Sequence, residues 1–235
     1  MERIMNIRKE EKAYHDYCYD NYKLFAAGSW LHKPVQTVLD QLPYFTSYET
    51  LRVLDLGSGV GRNSIPIANM ILEKDMKGEV VCVDMLDSAI AKLTCYSSEF
   101  GLTSIIKVEK STIESFNIGR NTYDLIVAVS SLEHVESEAV LQNKLTEMIE
   151  GTKKGGINCL IVNSSLEEVD METGDRLEVN TEINLKTEEM NTILLRLFTN
   201  WTVLKHMVKP LEYQITRNGR KIALKTNAIT FVVRK

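Results

Sequence analysis

The stretch Val53-Leu54-Asp55-Leu56-Gly57-Ser58-Gly59-Val60-Gly61-Arg62-Asn63-Ser64 decides the fold. Residues 51–54 read as a short strand, an acidic residue follows it, and glycines stand at alternate positions 57, 59 and 61. Residues 65–72 carry a helical pattern, with Pro66 tolerable in the first turn. Glycine lets the backbone turn sharply and lets a ligand approach with no side chain in the way. The helix that follows aims unpaired N–H groups back at the loop. The stretch therefore predicts a cofactor cradle between a strand and a helix.

Strand and helix patterns alternate on either side of it. Residues 79–84 read as a second strand, 88–100 as a helix stopped by Gly101, and 105–110 as a third strand. Residues 124–130 form an unbroken apolar run, as in a strand covered on both faces. Residues 138–150 are helical up to Gly151, and Gly155-Gly156 turns the chain into a fifth strand, 157–162. A helix over 188–198 precedes two strands, 202–208 and 222–233, whose connection carries the hairpin signal Asn218-Gly219. This order predicts an α/β, Rossmann-like doubly wound sheet of seven strands, mostly parallel, with an antiparallel C-terminal pair. We expect one domain over 1–235: an N-terminal helical cap or lid (1–48), a cofactor-binding core (49–165), and an acceptor-side loop, helix and strands (166–235).

The 235-residue chain is 44% hydrophobic and 26% charged, with a formal charge of −4. That is ordinary globular composition, and without a basic stripe it argues against a nucleic-acid partner. No apolar run approaches the roughly 20 residues that cross a bilayer. Residues 1–12 are charged, so no secretory signal is expected. Cys18, Cys82, Cys95 and Cys159 lack metal-knuckle spacing and read as reduced thiols, hence a cytoplasmic protein with no metal. Nothing in the sequence selects an oligomeric state.

Glycine spacing separates two cofactors. A nicotinamide fingerprint places its third glycine three positions after the second; here the glycines are two apart and Arg62 follows. Asp84 ends the second strand, where a carboxylate can accept hydrogen bonds from an adenosine ribose in either class. A nicotinamide-dependent oxidoreductase is the alternative reading. Its Tyr-x-x-x-Lys pair would have to be Tyr19 and Lys23, which lie ahead of the glycine loop rather than after it.

From about residue 50 to 165 the chain resembles the class I S-adenosylmethionine-dependent methyltransferases. Residues 55–61 look like that superfamily's first motif, Asp84-Met85 like its ribose-binding acidic position, residues 123–134 like its fourth-strand motif, and Lys153-Lys154-Gly155-Gly156 like the turn before its fifth strand. At the C-terminus, residues 201–205, 218–222 and 233–235, with Gly61-Arg62-Asn63-Ser64, are similar to the bacterial tellurite-resistance methyltransferases. Two positions depart from the pattern. Thr112, followed by Ile113, stands where the superfamily often carries an adenine-contacting Asp, and Tyr213-Gln214 stands where the tellurite group carries His-Arg, which speaks against an oxyanion acceptor.

The resemblance implies methyl transfer from S-adenosylmethionine to a small-molecule acceptor; a protein that binds the cofactor without turnover is a further alternative. Gly57, Ser58, Gly59, Gly61 and Arg62 would pass beneath the methionine part, and Asp84 with Met85 would hold the ribose. Thr112 and Ile113 would meet the adenine, and Ser130 the methyl end. Asp55 would orient the cofactor's amino group or compensate the following helix's N-terminus. His134 could take a proton from the acceptor, or simply pack at a helix start; in-line displacement on a sulfonium needs alignment before it needs a base. Tyr14, Tyr17, Cys18, Asn21, Tyr22 and Phe25, with Asn21 its one polar member, form a stripe that reads as a lid, with Trp30 against the site, or as plain helix packing. The acidic connection over 163–186 would favour a cationic acceptor, or would be a solvated, mobile loop.

Overall fold

The computed structural model describes residues 2–217 and 219–235. It contains helices α1 (Glu2–Asn21), α2 (Gln36–Leu39), α3 (Ser64–Glu73), α4 (Asp87–Glu99), α5 (Glu138–Gly151) and α6 (Thr187–Leu197). Its strands are β1 (Thr50–Leu56), β2 (Lys77–Asp84), β3 (Ile106–Lys110), β4 (Tyr123–Val129), β5 (Thr152–Asp170), β6 (Arg176–Leu177), β7 (Thr202–Arg217) and β8 (Arg220–Arg234). One sheet joins them in the order β3-β2-β1-β4-β5-β8-β7, with β6 attached to β5. The pairings from β3 to β5 are parallel, and β8 is antiparallel to both β5 and β7. The seven expected strands thus form the continuous path, and the two-residue β6 is an eighth.

Alternate residues of each strand feed two cores. Val53, Cys82, Val127 and Cys159 pack with Ile65, Ile67, Ala68 and Leu93 on one face. Leu54, Val83, Ile126 and Leu160 pack with Leu141, Leu145, Met190 and Leu194 on the other. Helices cover both faces, so the functional groups emerge at the carboxyl ends of the strands, as doubly wound sheets require.

Two segments differ from the sequence reading. The first part of the supposed loop after residue 162 is strand: β5 continues to Asp170 through a bulge between Ser164 and Glu167, paired with β8 from Glu167↔Lys225 to Asp170↔Ile222, and β6 folds back on it. The last two strands are likewise longer than their apolar runs and approach as far as Arg217↔Arg220, a tight connection; Asn218 of the hairpin signal lies outside the described residues. Pro210 fits because β7 is an edge strand whose outer side makes no ladder. Gly155-Gly156 is a kink inside β5 rather than a turn before it, with Gly155 at φ +81°.

Candidate functional site

The glycine loop follows directly on β1. Gly57, Gly59 and Gly61 have φ of +72°, +53° and +90°, backbone that only glycine adopts cheaply. A Cβ on Gly57 would lie 2.4 Å from the Cβ of Ser131, and one on Gly61 2.5 Å from Leu93. Ser131, in turn, donates to the Leu56 carbonyl (2.8 Å), which locks the end of β4 against the end of β1. The Gly57 and Ser58 N–H groups both donate to the Val83 carbonyl, so the loop leans over β2. There the Gly59 N–H donates to Asp84 Oδ2 (2.8 Å) and the Leu86 N–H to Oδ1 (2.9 Å). Each oxygen retains a lone pair for a further donor, and burial pushes the Asp84 carboxyl up.

Asp55 lies beneath this loop, 2% exposed, accepting from Ser64 Oγ at the start of α3. Burial raises its carboxyl to about 6 against that hydrogen bond. Ser58 Oγ is buried without a partner among the described residues. A loop stripped of side chains, an unserved hydroxyl and a strand-end carboxylate with spare acceptor capacity fit an adenosine cofactor with a polar tail. Met85, 39% exposed, follows Asp84 at the rim. Thr112 Oγ1 accepts from the Ser115 N–H (3.2 Å) in an exposed turn, and Ile113 is half-buried against the second core. Ser130, at φ +49°, follows directly on β4.

Helix α1 crosses over these strand ends. Asp16 accepts from Ser88 in the first turn of α4, Tyr19 Oη lies 3.0 Å from where a Gly59 Cβ would be, and Glu11 reaches His134 after β4. Arg8 binds Glu114 after β3 and Glu182 after β6 (3.3 Å for the latter), while Arg3 and Glu10 reach Glu178 and Arg217. The buried face is Ile7, Cys18 and Tyr19. Of the expected stripe, Tyr14 and Tyr17 point outward, 50% and 60% exposed; the polar residues Arg8, Glu11 and His15 lie on the inner face and hide it from an apolar-periodicity reading. Trp30 stacks edge-on to His15 and Tyr19 (5.8 and 6.3 Å). The Arg62 guanidinium sits 5.0 Å from the Trp30 ring and donates to its carbonyl.

His134 Nδ1 lies 3.0 Å from Glu11 Oε2 and 3.0 Å from Glu182 Oε2. Burial works against its cationic form, but Glu182, Glu11 and Glu133 together raise it to about 9. Burial lifts Glu11 to about 7, opposed by His134. In this arrangement the imidazole carries a proton at neutral pH instead of standing ready to take one. Two acidic residues at the end of β5 are engaged within the fold. Glu168 pairs with Arg217 and accepts the Asn180 N–H, and Asp170 caps the turn at Glu172 and Thr173. Tyr213 is exposed on the edge strand β7.

Sequence reasoning missed Glu11 and His15, and reached Tyr19, Glu133 and Glu182 only as members of the N-terminal tyrosines, the fourth-strand motif and the acidic connection. The i, i+4 spacing of Glu11 and His15 was a usable signal; the partners of Glu182, Arg8 and His134, lie 174 and 48 residues away, so no local pattern singles it out from the other acidic residues of its segment.

A family model described as a methyltransferase domain matches residues 48–214. No curated protein matches the chain by sequence. Among solved structures, TehB from Haemophilus influenzae is 20% identical with a TM-score of 0.63, the match covering 94% of this chain and 66% of that one. A SAM-dependent methyltransferase from Methanosarcina mazei is 18% identical (TM-score 0.53; 83% and 96% covered). One from Aquifex aeolicus is 17% identical (TM-score 0.50; 81% and 88% covered). At these identities the likeness shows the fold.

Proposed function

The chain belongs to the methyltransferase-domain family and uses S-adenosylmethionine, and from that premise we propose that its acceptor is a small molecule seated beneath α1. The observation that carries this reading is the roof itself. Helix α1 spans from α4 past the glycine loop to the ends of β4 and β6, so the methyl-receiving side of the cradle is covered by protein. A covered site suits a small acceptor better than a polymer.

When bound, the cofactor supplies a methyl group already activated on a sulfonium. In the proposed assignment Gly57, Gly59 and Gly61 admit its methionine part with no side chain in the way. The unserved Ser58 hydroxyl and the free lone pairs of Asp84 take its polar groups, with Met85 beside the ribose and Thr112 and Ile113 toward the base. Asp55 acts from below, through Ser64 and the start of α3. Arg62 stacks on Trp30 and ties the loop's far end to the residues that follow α1. Ser130 and the aromatic group of His15, Tyr19 and Trp30 border the methyl end. What these residues contribute is alignment and exclusion of water, which displacement at an activated methyl needs most.

The test is calorimetric titration with S-adenosylhomocysteine, then transfer of labelled methyl from S-adenosylmethionine to amines, thiols, phenols and carboxylates. Transfer to a small molecule in the absence of any polymer is expected. Labelling confined to added protein or RNA would overturn the reading.

A further inference from the structure

Glu11, His134 and Glu182 come from three separate parts of the chain, α1, the turn after β4 and the segment after β6, and converge on one point. Their ligand-type atoms all lie within 4.8 Å of one another. Two carboxylate oxygens are each 3.0 Å from the same imidazole nitrogen, so a single N–H serves both. Separations of about 3.0 Å are also the edges of an octahedron with metal–ligand bonds of about 2.1 Å. Two further donors stand nearby with unserved atoms. Glu133 is 2% exposed, its Oε2 has no partner among the described residues, and its charge bears on both Glu11 and His134. His15, one turn beyond Glu11 on the same helix, has a buried Nδ1 without a partner among the described residues. Arg8 holds the other oxygen of Glu182 (3.3 Å), the type of supporting contact that fixes a ligating carboxylate.

We propose that Glu11, His134 and Glu182 bind one first-row divalent cation, which displaces the proton from His134 Nδ1 into solvent and clasps α1 to the strand ends. One imidazole with two carboxylates and octahedral spacing suits Mn2+ among these ions. Glu11 is the only one of the three that α1 contributes, and its side chain is 28% exposed, whereas Glu182 is 1% exposed. The clasp therefore closes from the lid side onto a fixed pair. Its geometry does not depend on the methyl-transfer reading.

The full chain, freed of metal with chelator, is titrated with MnCl2 by calorimetry and by Mn2+ paramagnetic resonance, and amide exchange in α1 is followed with and without the ion. One saturable site is expected, weakened at least tenfold by Glu11→Gln, with exchange over residues 7–19 slowed by Mn2+ in the native chain and not in E11Q. Glu10→Gln, on the same helix but paired with Arg217, should bind as the native chain does. The absence of saturable binding, or binding that survives both Glu11→Gln and His134→Gln, would overturn the clasp. Titration of the same samples with S-adenosylhomocysteine separates the two proposals: cofactor binding without Mn2+ binding sinks the clasp alone, and Mn2+ binding without cofactor binding supports it while sinking the cofactor reading.

Discussion

The loop between β1 and α3 is held by its own backbone and its immediate neighbours, whereas α1 above it is held by side chains that reach across the whole chain. In the loop, Gly57 and Ser58 share one carbonyl on β2 and Gly59 binds the carboxylate one residue further on. On α1, Arg8 meets Glu114 and Glu182 at separations of 106 and 174 residues. Buried apolar contact contributes only Ile7, Cys18 and Tyr19 to the helix. A cradle built this way has one conformation or none; a roof built from ion pairs can loosen while the sheet stays folded.

The sharpest test of the loop's rigidity is to add one methyl group there and one at a glycine turn with open space around it. Gly57→Ala places a Cβ 2.4 Å from Ser131 at φ +72°. Left-handed strain and overpacking together should cost about 3 kcal/mol or more and abolish measurable S-adenosylhomocysteine binding. Gly174→Ala, in the turn between β5 and β6, meets nothing within 4 Å at φ +78° and should cost about 1 kcal/mol with cofactor affinity unchanged. Urea midpoints and calorimetry measure both. Equal losses in the two variants would mean that the cradle has no special rigidity.

The same contrast explains what could be read without a structure. The glycine spacing, Asp84 at a strand end and the order of elements all depend on residues close together in the chain, and they lie where the sequence places them. β5 looks finished at Val162 because Asn163, Ser164, Glu167 and Glu168 break the apolar pattern; it continues because β8 supplies a partner ladder. β7 is hidden in the same way by Lys209, Pro210 and Glu212. The inner face of α1 was misplaced because its residues are buried for their charges, and their partners lie in other elements, beyond the reach of any local pattern.

Asp55 tests the cradle from below. Its folded carboxyl, at about 6 against 3.8, binds a proton more tightly than in the unfolded chain. Stability from this group is therefore greatest below about pH 4 and is lost as pH rises to about 6, by about 2–3 kcal/mol in all. Asp55→Asn should remove that slope: the native chain and the variant should differ in the pH dependence of their urea midpoints between pH 4 and 6 and run parallel above it. Parallel curves throughout would show that Asp55 is fully ionised in the fold at pH 4, and the cradle would then hold a paired charge as α1 does.

Arg8 tests the roof, with the smallest expected effect. Its guanidinium is 20% exposed and serves Glu114 and Glu182, with Glu136 at 3.7 Å. Losing it would be severe if Glu182 were left alone, but His134 still bonds that carboxylate, so Arg8→Ala should cost about 1–2 kcal/mol. Because α1 touches the core at few apolar residues, that cost should fall on the helix rather than on global unfolding. Amide exchange at Cys18 and Tyr19 should quicken about tenfold while the urea midpoint holds. Salt gives the independent check. At 1 M the screening length falls to about 3 Å, so exchange in native α1 should rise toward the variant's rate while the variant changes less. If Arg8→Ala instead lowers the global midpoint by the full amount, α1 folds as one unit with the sheet, and the cradle and its roof are a single cooperative body.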